Sequence, residues 1–168
     1  MKKAIIFDMD GTLWDSAENV AISWNIAMEQ FGYKREPISK EDMYSVMGKT
    51  MDKLAEILFD KAEGEERAAL LKLACKVEND YLREHGGVLY PEIRRTMEQL
   101  KENYHLLIVS NCQSGYIEAF LDYYKFHDLV EDIECFGNNN KQKSENIALI
   151  CERNHIARED AVYVGDIQ

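Results

Sequence analysis

The stretch IIFDMDGT, residues 5–12, runs from a short apolar segment straight into two aspartates flanking a methionine, followed by a glycine and a small hydroxyl. Residues 3 to 7 are short, β-branched and aromatic without alternation, which predicts a strand covered on both faces. Asp8 and Asp10 then stand at its carboxyl end, the edge of an open α/β sheet where ligands bind. A strand exit does not by itself ask for two carboxylates, since aspartate is also an ordinary turn and cap residue.

Working outward, the periodicity changes twice. From Asp15 to about Glu84 it is helical almost throughout. Ser16 is placed to cap a helix in which Val20, Trp24, Ala27, Met28 and Phe31 recur at three- and four-residue steps until Gly32. The segment SKED at 39–42 opens a second helix that ends near Gly48, Thr50 begins a third, and Glu65 to about Arg83 forms a fourth. Four helices in one block can form their own small bundle. The glycines and proline of HGGVLYP, residues 85–91, mark a linker.

Beyond it the chain alternates helix and strand. Pro91 to about Glu102 is a helix, His105 to Val109 a buried strand, Gly115 to Tyr124 a helix, and Ile133 to Phe136 a short strand. Ser144 caps a helix to about Arg153, and Ala161 to Val164 is a last strand. That order predicts a three-layer α/β/α Rossmann-like parallel sheet with right-handed crossovers, and the helical block is inserted just after the first strand. The expected division is 1–14 and 89–168 for the sheet domain and 15–88 for a helical cap.

Composition narrows the function. With 46% hydrophobic and 30% charged residues in 168, the chain can bury a core in one or two small domains. No apolar run approaches the roughly 18 residues of a membrane helix, and Ala4 to Phe7 is too short for a signal peptide, so a cytoplasmic address is expected. A net charge of −11 with no basic stripe beyond Lys141-Gln142-Lys143 argues against nucleic acid. Cys75, Cys112, Cys135 and Cys151 lie 37, 23 and 16 residues apart, a spacing of reduced thiols rather than of a zinc site. The four histidines are equally scattered.

The strand ends carry the signal: Asp8 and Asp10 after the first, Ser110 and Asn111 after the second, Lys143 near the helix that follows the third, Asp166 after the last. Together they suit phosphoryl transfer. A carboxylate can take a phosphoryl group as an acyl-phosphate. Because carboxylate and phosphate repel, a hard cation such as Mg²⁺ must bridge them, with Asp8 and Asp166 as its cage. Lys143, the Ser110 hydroxyl and backbone N–H groups suit the equatorial oxygens of the transition state. Asp10, pointing away from Asp8, can protonate the leaving oxygen and then deprotonate water.

DMDGT at 8–12, VSN at 109–111, Lys143 in KSENI and VGD at 164–166 resemble the four motifs of the haloacid dehalogenase superfamily. The helical insertion resembles the cap of its phosphoglycolate phosphatase and β-phosphoglucomutase relatives. The resemblance implies Asp8 as nucleophile and Asp10 as acid/base with its backbone carbonyl on the metal. It implies Ser110, Asn111 and Lys143 on the phosphate, and Asp8, Asp10 and Asp166 on Mg²⁺. Aspartate at position 10 favours phosphatases over dehalogenases. The expected substrate is a small phosphorylated metabolite. A phosphomutase is the runner-up, and a non-catalytic phosphate-binding relative or an inactive fragment stands in a different class. A phospho-accepting receiver would not carry about 70 helical residues after its first acids.

Relatives usually carry a further acid four positions after Asp166 and another strand and helix, whereas this sequence ends at Gln168. The expected consequences are apolar surface open, or paired with another chain, near Val162 and Val164, and weaker metal binding. Lys49 in MGKT is a candidate for a substrate's distal anionic group. Cys112, near a helix start, is where a thiol pKa can fall, with structural packing as the competing account.

Overall fold

The computed structural model describes residues 2–166; the chain end at Gln168 lies outside the described residues. Its centre is a four-stranded parallel sheet in the order β5-β4-β1-β6, formed by β1 (Lys3–Phe7), β4 (Tyr104–Ser110), β5 (Asp132–Cys135) and β6 (Ala161–Val164). Period two along the strands sends alternate side chains to opposite layers. Ala4, Ile6, Leu107 and Val109 pack on Ile150 and Cys151 of α8 (Lys143–Arg153). Phe7, Leu106 and Ile108 face the other way, onto Met97 of α5 (Ile93–Lys101) and Ile117 and Phe120 of α6 (Tyr116–Tyr124). Covering on both faces explains why these strands read as unbroken apolar runs. β6 is a sheet edge, with Val162 and Val164 exposed at 59% and 39%.

Between β1 and β4 lies the helical region: α1 (Ala17–Phe31), α2 (Lys40–Val46), α3 (Met51–Leu58) and α4 (Gly64–His85). Val20, Trp24, Ala27 and Met28 are the buried face of α1. The Trp24 indole stacks on Phe59, centroids 5.1 Å apart. The buried positions of α4 are Leu70, Ala74, Glu78 and Leu82, so one acid sits on an otherwise apolar stripe at four-residue spacing. Among the described residues no helix is long and apolar enough to cross a membrane.

The segment expected to be a linker is ordered instead. β2 (Trp14–Asp15) and β3 (Val88–Leu89) pair antiparallel, Trp14 opposite Leu89 and Asp15 opposite Val88, so both chain crossings between sheet and helices run side by side. Trp14 is fully buried there, edge-on to Tyr116 and Phe120 at 5.7 and 5.0 Å.

Two caps differ from expectation. Ser16 precedes α1, but its backbone is helical (φ −101°, ψ −6°) rather than extended, so its hydroxyl makes no cap bond and donates to Asp10 instead. α8 begins at Lys143 rather than after Ser144: Gln142 forms a capping box with Glu145, which brings Lys143 into the first turn. The cap at Ser39 is as expected, a reciprocal box with Asp42.

Candidate active site

All four strand exits open on the same edge of the sheet, as parallel pairing requires. Asp8, Asp10, Ser110, Asn111, Lys143 and Asp166 line one cleft together with residues of the helical region, including Lys49. The cleft is narrow, with a cavity volume of about 40 Å³, and opens to solvent.

Asp8 is buried at its floor. Its Oδ1 accepts the Met9 N–H at 2.9 Å and its Oδ2 accepts the Lys143 ammonium at 2.6 Å. Burial alone would lower the Lys143 pKa, but the hydrogen bond and charge of Asp8 more than offset this and hold the ammonium above its usual range. Asp8 therefore sits beside a fixed positive charge.

Asp10 is turned elsewhere, as two successive steps past a strand end allow. Its Oδ1 accepts two hydroxyls, from Ser16 at 2.7 Å and Tyr116 at 2.6 Å, and those hydroxyls are 2.8 Å from each other. Burial pushes the Asp10 carboxyl up to about 6; the Asp8 charge adds to the rise, while the two hydroxyls restrain it. Two neighbouring acids thus occupy unlike environments, one ion-paired and one held by neutral donors. Tyr116 carries no sequence signal as part of this arrangement, because an aromatic on a helix of aromatics reads as core.

Ser110 is buried at the end of β4. Asn111 is engaged with the helical region: its Nδ2 donates to the Gly48 carbonyl at 3.0 Å, and its Oδ1 is buried without a partner. That bond ties the turn between α2 and α3 to the strand end. Lys49, beside it, lines the cleft while its ammonium donates to the Ser45 carbonyl at 2.9 Å. Cys112 is buried and desolvation pushes its thiol well up, so packing is the account the structure supports, not a lowered pKa.

Asp166 borders Gly11, whose φ of +77° and closeness to the Asp166 carboxylate leave no room for a Cβ. Asp8, Asp10 and Asp166 offer only oxygen donors to the cleft, the chemistry of a hard divalent cation. Among the described residues no three acidic, histidine or cysteine side chains already converge on one metal position. An octahedral cation that keeps several waters and takes one or two carboxylates is compatible with such an open donor set.

The cleft holds two further groups that the sequence does not single out, one on the helical wall and one on the loop after β4. Glu78 of α4 is 3% exposed, lines the cleft, and receives the Trp24 indole N–H on Oε2. Burial pushes its carboxyl up to about 7, against the restraint of Trp24 and Gln113 and with a further push from Asp10. Gln113, 7% exposed on the loop after β4, donates from Nε2 to Asn79 at 2.9 Å, and its Oε1 has no partner. Gly137 lets this loop lie against the short helix after β5, α7 (Phe136–Asn139): its N–H donates to Cys112 O at 2.9 Å, and a Cβ there would collide with backbone of Gln113 and Ser114.

The pattern of the haloacid dehalogenase-like hydrolases matches residues 5–168. A phosphoglycolate phosphatase of Nitrosospira multiformis is 28% identical over 98% of this chain and 74% of its own length. In solved structures the fold recurs in a haloacid dehalogenase-like hydrolase of Bacteroides fragilis, with a TM-score of 0.81 at 22% identity over 99% of this chain and 80% of that one. It recurs also in the β-phosphoglucomutase of Clostridium difficile, with a TM-score of 0.76 at 19% identity over 99% and 77%.

Proposed function

This chain belongs to the haloacid dehalogenase-like hydrolases, and we propose that within them it is a Mg²⁺-dependent phosphatase that hydrolyses a small phosphomonoester through an aspartyl-phosphate on Asp8. The observation that carries this is the division between the two acids: Asp8 paired with Lys143 at 2.6 Å, Asp10 held two residues away by Ser16 and Tyr116. The phosphatase names of sequence relatives support the same direction.

A phosphoryl group entering over Asp8 meets Lys143, whose ammonium turns from the carboxylate to an equatorial oxygen and frees Asp8 Oδ2 to attack phosphorus. Ser110 and the backbone N–H groups that follow it donate to the other oxygens. As the P–O bond to the leaving group breaks, Asp10 delivers a proton to that oxygen; it then takes one from the water that attacks the acyl-phosphate. Tyr116 and Ser16 fix the Asp10 carboxyl for both steps. Asp8, Asp166 and the Asp10 backbone carbonyl would hold Mg²⁺, which when bound neutralises charge between carboxylate and phosphate. Residues 15–88 act as a cap over the strand ends and exclude bulk water.

The test is hydrolysis of 4-nitrophenyl phosphate with Mg²⁺ by the wild type and by Asp8→Asn and Asp10→Asn. Asp8→Asn should lose at least about 10³-fold in kcat, since an amide does not attack phosphorus. Asp10→Asn should be slowed about 10²-fold or more. Undiminished turnover by Asp8→Asn overturns the nucleophile assignment.

A further inference from the structure

The substrate's leaving group must lie against the helical wall of the cleft, and that wall is chemically specific. Glu78, Gln113, Val20, Met43, Met51 and Leu54 line it. From these residues, and resting on the phosphatase reading above, we infer that this subsite takes a leaving group that presents hydrogen-bond donors and carries no negative charge: a hydroxylated or amino-bearing phosphomonoester rather than a phosphorylated carboxylic acid.

Three features support it. First, Glu78 occupies a position on α4 where Leu70, Ala74 and Leu82 are apolar, so packing alone does not call for an acid. The Trp24 N–H engages one of its oxygens, and the Gln113 side chain lies close enough to restrain its proton affinity as well. Second, Gln113 presents a buried Oε1 with no donor into the same cleft, a state that costs stability unless a ligand fills it. Two acceptors side by side call for N–H or O–H groups. Third, the aliphatic and thioether side chains around them suit a short carbon chain between those donors and the phosphate.

A carboxylate placed here would face the Asp10 and Glu78 carboxyls and the Gln113 oxygen together. Lys49, which borders the cleft, holds its ammonium on the Ser45 carbonyl at 2.9 Å, with no carboxylate partner among the described residues. The raised proton affinity of Glu78 points the same way, since it already marks a place where added negative charge is disfavoured. The subsite would therefore separate this chain's preference from what the names of its phosphoglycolate phosphatase relatives suggest.

The experiment compares kcat/KM for glycerol 3-phosphate, phosphoethanolamine and phosphoglycolate, in the wild type and in Glu78→Gln, with 4-nitrophenyl phosphate as a reporter of the chemistry itself. The first two esters separate hydroxyl from ammonium recognition. At least one should exceed phosphoglycolate by about 100-fold in the wild type, as like-charge juxtaposition in a desolvated site predicts. At pH 8, where the Glu78 carboxyl at about 7 is largely ionised, Glu78→Gln keeps the volume and removes the charge, and should shrink that ratio about tenfold; a loss of folding alone would lower all esters equally. Phosphoglycolate turned over as well as the other two, or a ratio unmoved in Glu78→Gln, overturns the inference. If none of the four esters is hydrolysed the phosphatase reading fails, and calorimetric titration of the same three metabolite esters into the unreacting chain decides the subsite by the same ratios of dissociation constants.

Discussion

A carboxyl buried on a helix stripe must show itself in the pH dependence of stability, and Glu78 is the sharpest case. In the folded protein its pKa stands at about 7 against an ordinary 4.5. Between those values the native chain holds a proton that the unfolded chain has released, so unfolding free energy falls as pH rises. The contribution is fully present below about pH 4.5 and is lost as pH passes 7. At roughly 1.4 kcal/mol per unit, the whole window is worth about 3 kcal/mol, of which ~2–3 kcal/mol falls between pH 5 and 8. Glu78→Gln removes the titration while its amide oxygen still accepts the Trp24 N–H. The groups that share its surroundings are Asp10, Tyr116 and Cys75, of which only Asp10 titrates near neutrality. Asp10 is raised in the same direction, so most of its slope is common to both proteins and cancels in their difference, leaving the smaller mutual push between the two carboxyls. Urea unfolding at pH 5 and pH 8 reads the effect. The wild type should lose ~2–3 kcal/mol relative to Glu78→Gln over that interval, or about 4–12 °C in Tm for a chain of this size. Parallel stability curves for the two proteins, within about 0.5 kcal/mol, would refute the buried titration.

Two further perturbations test the rest of the site. Tyr116→Phe deletes one of the two hydroxyls on Asp10 Oδ1 and leaves Ser16 in place; a hydrogen bond to a charged group is worth about 1.5–3 kcal/mol, so kcat should fall about tenfold or more with KM little changed, and an unaltered kcat would remove Tyr116 as a positioning residue. Gly137→Ala drives a Cβ into the backbone of Gln113 and Ser114, which cannot yield as a side-chain tip can; urea unfolding should show a loss of about 2 kcal/mol or more, and a neutral result would mean that the two loops are not packed as described.

What the sequence makes legible follows from how local each signal is. β1 and β4 announce themselves because a strand covered on both faces must be apolar throughout, and the run at residues 5–7 does not depend on what pairs with it. The acids after β1 are legible for the same reason, since they mark where the apolar run stops. The β2–β3 ribbon is not legible: each strand is two residues long, and its existence depends on a partner more than 70 residues away. Ser16 shows a local rule overtaken by a tertiary one. A serine before an amphipathic run is a fair cap, but here its backbone is already helical and its hydroxyl is turned to the Asp10 carboxylate at 2.7 Å.

Glu78 marks the limit of such reading, and the reason is instructive for the whole helical wall. α4 carries Glu, Lys, Asp and Arg in abundance, so one more acid among 22 residues is unremarkable until the buried face is known. The stripe at 70, 74, 78 and 82 follows the four-residue step of a packed helix, where a hydrophobic residue would pack beside Leu82 but leave the Trp24 N–H without an acceptor. An acid at that step costs desolvation, which the indole N–H and the Gln113 side chain offset only in part, as the carboxyl's rise to about 7 shows. A buried cost that packing does not repay is the kind of feature that points to a ligand, because binding adds donors that the empty cleft lacks. The same holds for the unpartnered oxygen of Gln113, contributed by a different element with no periodicity to read. The wall's chemistry therefore arises only when α4 and the loop after β4 are brought together, and the acids of the sheet, legible from one strand exit, say nothing about what they will be asked to release.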